Sequence, residues 1–303
     1  MNTTTLLASL APAWRDYLAL CKPRVVSLIV FTALIGMLLA TPELPPLATI
    51  VIATLGIALA ASSAAAINQV AEHRIDAIMA RTRHRPLPQG EVRTTHALVF
   101  ALVLGVLSMY LLVAFVNALT AILTFVSLIG YAVVYTMFLK HATPQNIVIG
   151  GAAGAAPPVL GWTAITGQLD PHALLLFLII FAWTPPHFWA LAIYRRNDYA
   201  KAEIPMLPIT HGVDFTRKHV LLYTVLLTAV TVMPYAAFMC GPIYLVGALL
   251  LDAGFLYYAI RMQFDHRDKL AFAAFKYSIV YLTLLFVVLF VDHYAPAVRD
   301  LVY

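Results

Sequence analysis

Hydrophobic positions in this chain do not alternate or recur on one face of a helix; they come in long blocks divided by short polar breaks. A helix needs about 20 apolar residues to cross a hydrocarbon core roughly 30 Å thick. Nine blocks reach or approach that length: residues 25–41, 47–67, 97–116, 118–139, 147–166, 172–193, 219–239, 242–260 and 275–295. The pattern predicts an all-α, polytopic membrane bundle of nine transmembrane helices. No interior hydrophilic stretch is long enough to separate two soluble domains, so 1–303 reads as one intramembrane domain. The narrowest break is Val116-Asn117, where a single polar residue divides two blocks. No basic region or clear cleavage site precedes the first block, which is therefore expected to remain as a helix rather than serve as a signal peptide.

Composition sharpens this. Of the 303 residues, 62% are hydrophobic and 11% charged, against about 25% charged in an ordinary soluble domain. So few charges cannot cover a water-soluble surface, which excludes a soluble enzyme, a disordered chain and a nucleic-acid-binding domain. Cys21 and Cys240 make no disulfide framework. The placement of charge says more than the net +5. With the N-terminus in the cytoplasm, 18 of the 19 Lys and Arg residues fall on the cytoplasmic side and only Arg299 falls outside. The expected orientation is therefore N-terminus cytoplasmic and C-terminus outside. The two long cytoplasmic connections, near 68–96 and 194–218, are where function is expected. Each follows an even-numbered helix and carries an acid near that helix's end, a weak echo of duplication.

The first connection holds Asn68, Glu72 and Asp76 at i, i+4 and i+8, a spacing that puts all three on one helical stripe. Two carboxylates and an amide suit Mg²⁺, which takes oxygen ligands and shares them with substrate phosphates. Arg81, Arg83 and Arg85 follow, and guanidinium groups bind phosphate oxygens bidentately. Together these are what a diphosphate leaving group needs. The plainer alternative is a helix end whose acids and arginines pair at the interface.

The second constellation runs from Trp183 through Pro185, Pro186, His187 and Trp189 to Tyr194, Asp198 and Lys201. The prolines are expected to kink the sixth helix. Tyr194, Asp198 and Lys201 would then stand at its cytoplasmic end, facing the first site. His187, an intramembrane histidine, could ligate iron, donate to a carboxylate or bond a carbonyl. Asp252, inside the eighth block, is assigned no role. The fifth block is rich in small residues from Gly150 to Gly161, read as close packing or as a smooth wall beside a flat ligand.

These residues resemble the haem O synthase (protoheme IX farnesyltransferase) branch of the UbiA-type intramembrane prenyltransferases. The likeness runs from Lys22-Pro23-Arg24-Val25 to the ninth block. The first connection is similar to the family's Asn-x-x-x-Asp-x-x-x-Asp motif, continuing through Met79-Ala80-Arg81-Thr82 and Arg85-Pro86. Trp183-Thr184-Pro185-Pro186-His187-Phe188-Trp189, with Asp198-Tyr199 and Pro205-Met206-Leu207-Pro208, resembles the haem branch rather than its quinone-prenylating relatives. Glu72 departs from the motif's usual Asp, and the family's second acidic motif is reduced to Asp198 with Glu203 out of register.

The resemblance implies that haem B, farnesyl diphosphate and water give haem O and diphosphate, with the farnesyl group joined at the 2-vinyl carbon. It also implies Mg²⁺ as cofactor and a multi-pass place in a bacterial cell inner membrane. Asn68, Glu72 and Asp76 would bind the diphosphate, with Glu72, Asp76 and Asp198 as metal ligands. Arg81 and Arg85 would contact phosphate oxygens or haem propionates, Tyr194, Asp198 and Lys201 would form the opposite wall, and His187 would touch haem. A haem A-forming enzyme or terminal-oxidase assembly factors are conceivable neighbours; nucleic acid is not. The competing readings are a prenyltransferase with an aromatic quinone-precursor acceptor, a transporter, and a haem-binding assembly protein without turnover.

Overall fold

In a computed structural model, residues 14–265 and 267–302 are described, with side chains described as far as 295. Both termini, and with them Arg299, lie outside the described side chains. Helices are numbered α1 to α13 in chain order. Eight of them are long and apolar enough to span a membrane: α3 (Leu47–Ile78), α5 (Thr94–Phe115), α6 (Ala118–Ala142), α7 (Asn146–Thr166), α8 (Pro171–Tyr194), α11 (Val213–Ala236), α12 (Pro242–Phe264) and α13 (Asp268–Val302, apolar through Ala295). A ninth span forms if α1 (Trp14–Leu20) and α2 (Pro23–Leu38) are taken together across a 55° bend. Three short helices, α4 (Pro86–Gln89), α9 (Arg196–Lys201) and α10 (Leu207–Thr210), lie in the two long connections. The protein is an all-α, polytopic membrane bundle.

Local chemistry explains the breaks. Lys22 adopts a left-handed φ of 49° and Pro23 opens α2, where the missing proline N–H costs nothing. At the narrowest polar break, Asn117 caps α6 by accepting from the Thr120 amide at 2.9 Å, and its own amide donates to the Thr163 carbonyl at 2.9 Å. One polar residue therefore separates two spans and ties them to α7. The prolines at which a kink is expected do not end the helix: α8 runs through both to Tyr194. Proline's fixed φ is itself helical, so the pair removes two backbone donors without ending the helix.

The strongest difference in length is in α3. Its apolar block ends near 67, yet the helix continues to Ile78. Thirty-two residues rise about 48 Å at ~1.5 Å each, well beyond a hydrocarbon core. The excess carries Asn68, Glu72 and Asp76 past the apolar layer on a rigid rod. Within α6, residues Gly130–Leu139 form a π-helix, a geometry that often marks functional positions.

Helix α8 packs against α7, α11 and α13, and Leu176, Ile179, Ile180 and Trp183 join the principal apolar core there. The α2–α7 contact depends on glycine. A Cβ on Gly36 would overlap the Pro158 backbone, and one on Gly161 would overlap the Ala33 carbonyl oxygen. Small residues in α7 thus serve close approach, as their composition implied. Large apolar side chains such as Val99, Leu102, Val103 and Val106 of α5 are exposed, the surface that lipid would cover.

Candidate active site

The stripe on α3 is buried: Asn68 is 3% exposed, Glu72 5% and Asp76 2%. Carboxylates so far from water require partners, and each finds a cation from a different part of the chain. Lys22, at the bend between α1 and α2, donates from Nζ to Asn68 Oδ1 at 2.6 Å. Lys140, at the end of α6, donates to Glu72 Oε1 at 2.5 Å. Arg85 donates from Nη1 to Asp76 Oδ2 at 2.6 Å. The Asn68 amide also donates to Thr136 Oγ1 at 3.1 Å, tying the stripe to the π-helical segment.

The 79–85 loop reaches back because α3 stops sharply. Met79 turns extended with ψ 128°, and the Thr82 hydroxyl donates to the Asp76 carbonyl at 2.9 Å. This folds the arginine run beneath the stripe. Pro86 then opens α4.

The second connection contributes differently from its sequence spacing. Tyr194 stacks on Phe272 of α13, with ring centroids 4.5 Å apart. The Arg195 guanidinium lies over the Tyr194 ring and 3.7 Å from Asp198. Lys201 is exposed. One side chain that joins the two connections is Tyr199, buried on α9, with the Arg81 guanidinium 5.9 Å from its ring centroid. Burial raises the Tyr199 phenol above its usual range, opposed by the nearby Arg81. Among the described residues no group of three or more His, Cys, Asp or Glu side chains converges to hold a metal. Glu72, Asp76 and Asp198 are therefore not one three-carboxylate site in this structure.

Oxygen donors on the stripe fit a cation of the Mg²⁺ kind. Two carboxylates and an amide leave positions in an octahedral shell that water and phosphate oxygens would supply. Lys22 and Tyr199 stand within the motifs that carry the resemblance but have no role assigned by them, and Lys140 and Thr136 lie outside those motifs. The two lysines each stand beside an apolar block and looked like topology markers; Tyr199 was overshadowed by Asp198.

His187 is buried on α8, stacked on Trp183 at 4.1 Å and close to Phe275 of α13 at 4.7 Å. Its Nδ1 lies 2.6 Å from Ser278 Oγ. The Ser278 hydroxyl is also 2.7 Å from the Phe275 carbonyl; with its proton on that carbonyl, Nδ1 donates to it. That tautomer leaves Nε2 as an acceptor. Asp252 accepts from Thr231 at 2.8 Å and Tyr281 at 2.6 Å, joining α11, α12 and α13 within the bundle.

The sequence profile of the UbiA prenyltransferase family matches residues 29–288. The chain belongs to that family. Among UbiA-family relatives, a protoheme IX farnesyltransferase from Methylococcus capsulatus is 61% identical, covering 93% of this chain and 95% of its own. One from Teredinibacter turnerae is 58% identical over 97% and 94%. The fold is shared with solved UbiA-type structures. A digeranylgeranylglyceryl phosphate synthase gives a TM-score of 0.77 at 18% identity, covering 92% of this chain and 98% of its own. A UbiA homologue from Archaeoglobus fulgidus bound to GPP and Mg²⁺ gives 0.60 at 17% identity, covering 90% and 99%.

Proposed function

We propose that this protein transfers the farnesyl group of farnesyl diphosphate to haem B, giving haem O and diphosphate. The observation that carries the reading is the α3 stripe: buried oxygen donors, each matched to a cation, at the end of an apolar bundle. Such a site takes an anion attached to a hydrophobic chain. The relatives at 61% and 58% identity bear the name protoheme IX farnesyltransferase, which supports haem as the acceptor. The setting that fits is a bacterial inner membrane, with the N-terminus cytoplasmic and the C-terminus outside.

Asn68, Glu72 and Asp76 would bind the substrate's diphosphate through Mg²⁺, and the metal would stabilise negative charge growing on the leaving diphosphate. Arg81 and Arg85 supply further charge-assisted hydrogen bonds to the same oxygens or to haem propionates. As the bridging oxygen takes the bonding electrons, an allylic farnesyl cation develops, and the 2-vinyl group of haem B attacks it. Water captures the resulting cation beside the porphyrin, leaving a hydroxyethylfarnesyl side chain. The apolar bundle keeps bulk water from quenching the farnesyl cation first. His187, oriented by Ser278, is a haem contact in this reading. Tyr199, beside Arg81, borders the site on the second connection, next to Asp198 and with Lys201 on the outer side, while Tyr194 stacks on Phe272. A lateral gap between helices would admit both membrane-soluble substrates, and a haem A-forming enzyme or oxidase assembly factors would receive the product.

The test is purified protein in nanodiscs with haem B, farnesyl diphosphate and Mg²⁺, followed by mass spectrometry of the extracted haem. A Mg²⁺-dependent gain of one farnesyl plus one water is expected. Unchanged haem, with farnesyl transfer to a phenolic acid instead, would overturn the acceptor. No transfer to either, from protein that still binds haem, would replace an enzyme with a carrier.

A further inference from the structure

Each oxygen donor that would hold a divalent cation is already in contact with a cation of the chain itself. Lys140 is on Glu72, Arg85 on Asp76 and Lys22 on Asn68, at 2.5, 2.6 and 2.6 Å. Glu72 and its partner are both nearly inaccessible, with side chains 7% and 9% exposed. Lys22 is within electrostatic range of Glu72, Asp76, Arg85 and Lys140 together. Two carboxylates and a neutral amide therefore face three positive side chains, an excess of one positive charge before Arg81 is counted.

We propose that Lys22 and Lys140 are positioning residues for the diphosphate: with Arg85 they hold the α3 donors in the free protein, then move onto the phosphate oxygens as substrate arrives, so the divalent cation binds only together with the diphosphate. This rests on the prenyl-diphosphate reading above.

The physical case is one of competing charges. A bare divalent cation approaching a poorly hydrated site with excess positive charge meets repulsion, and must also displace two short ion pairs. Each displaced ammonium or guanidinium would then be a buried charge without a partner, which is costly. A prenyl diphosphate removes both obstacles. Its several negative charges are attracted by the same excess, and its oxygens receive the released donors. The carboxylates so freed share the metal with phosphate, the arrangement Mg²⁺ favours. Lysine suits the exchange because its ammonium is a point charge on a flexible stem and can turn from one oxygen to another. The coupling is reciprocal: whatever factor the diphosphate adds to metal affinity, the metal adds to diphosphate affinity.

The experiment measures Mn²⁺ binding by electron paramagnetic resonance on purified full-length protein, alone and with farnesyl S-thiolodiphosphate, which resists ionisation. Wild type should bind Mn²⁺ alone weakly and at least about tenfold more tightly with the analogue present. Lys140→Met should bind Mn²⁺ alone more tightly than wild type, because Glu72 has lost its competitor, while binding the analogue less tightly. A misfolded protein would not gain metal affinity, so the opposed changes separate this role from a structural one. Lys140→Arg should keep the wild-type pattern, and Lys22→Met should weaken analogue binding.

Equal Mn²⁺ affinity with and without the analogue, in protein that binds the analogue, would overturn the exchange and leave the prenyl-diphosphate reading intact. So would a Lys140→Met protein that binds analogue as wild type does, or one that gains no Mn²⁺ affinity. Wild-type protein that fails to bind the analogue with or without Mn²⁺ would overturn both.

Discussion

Arg85 closes on Asp76 at 2.6 Å, although nine residues separate them and a helix ends in between. The contact exists because α3 terminates at Ile78 and the Thr82 hydroxyl binds the Asp76 carbonyl, folding the loop under its own helix. The acid and the base of the first connection thus form one unit, already ordered around the position of a phosphate.

Asp76→Ala should lower farnesyl transfer by at least about a hundredfold, the scale on which loss of one charge-stabilising group at a reacting centre is felt. Folding and membrane insertion should persist, since Arg85 is partly exposed and can turn toward water. The measurement is product haem by mass spectrometry alongside the elution profile in detergent. Near-normal turnover would remove Asp76 from the site.

Tyr199 joins the two long connections through Arg81. Tyr199→Phe keeps an aromatic face for the guanidinium and should retain most activity. Tyr199→Ala removes a cation–π contact worth about 0.5–2 kcal/mol and should raise KM for farnesyl diphosphate more than it lowers kcat. Equal kinetics for the two variants would show that the ring does not position Arg81.

Ser278→Ala strips His187 Nδ1 of its hydrogen-bond partner. A buried polar atom left without its partner costs about 1–3 kcal/mol, and the ring becomes free to turn. Haem affinity should fall, read by absorbance titration, while Ser278→Thr should restore it. An unchanged titration for the alanine variant would separate His187 from the haem site.

Gly161→Ala places a methyl against the Ala33 carbonyl oxygen across the α2–α7 contact. Overpacking of this kind costs about 1–3 kcal/mol, and here the obstacle is backbone that cannot rotate away. A lower unfolding temperature is expected in a thermal-shift assay. Gly154→Ala, on the same helix with nothing within 4 Å of the added methyl, should match wild type. If both variants unfold alike, the helices adjust and close approach at Gly161 is not required.

Much of the architecture was legible in the chain, because burial in lipid leaves a local signature: a span must be a continuous apolar run with its hydrogen bonds satisfied internally. The nine blocks and the break at Asn117 follow from that rule alone, and eight spans plus the bent α1–α2 pair are their counterparts. The stripe Asn68, Glu72 and Asp76 was equally readable, since helical periodicity is local too. Lys22 and Lys140 were not. Nothing in Lys22-Pro23 or Leu139-Lys140 indicates a partner 46 or 68 positions away, and side-chain pairing across helices depends on rotation and packing that no short segment encodes. The same holds for the second connection, where spacing favoured Tyr194, Asp198 and Lys201, yet the fold turns Tyr194 onto Phe272 and brings Tyr199 to Arg81. Spans and stripes are properties of one helix and can be read from it. Which cation neutralises which buried acid is a property of several helices at once, selected by the cost of leaving either charge alone in a low dielectric.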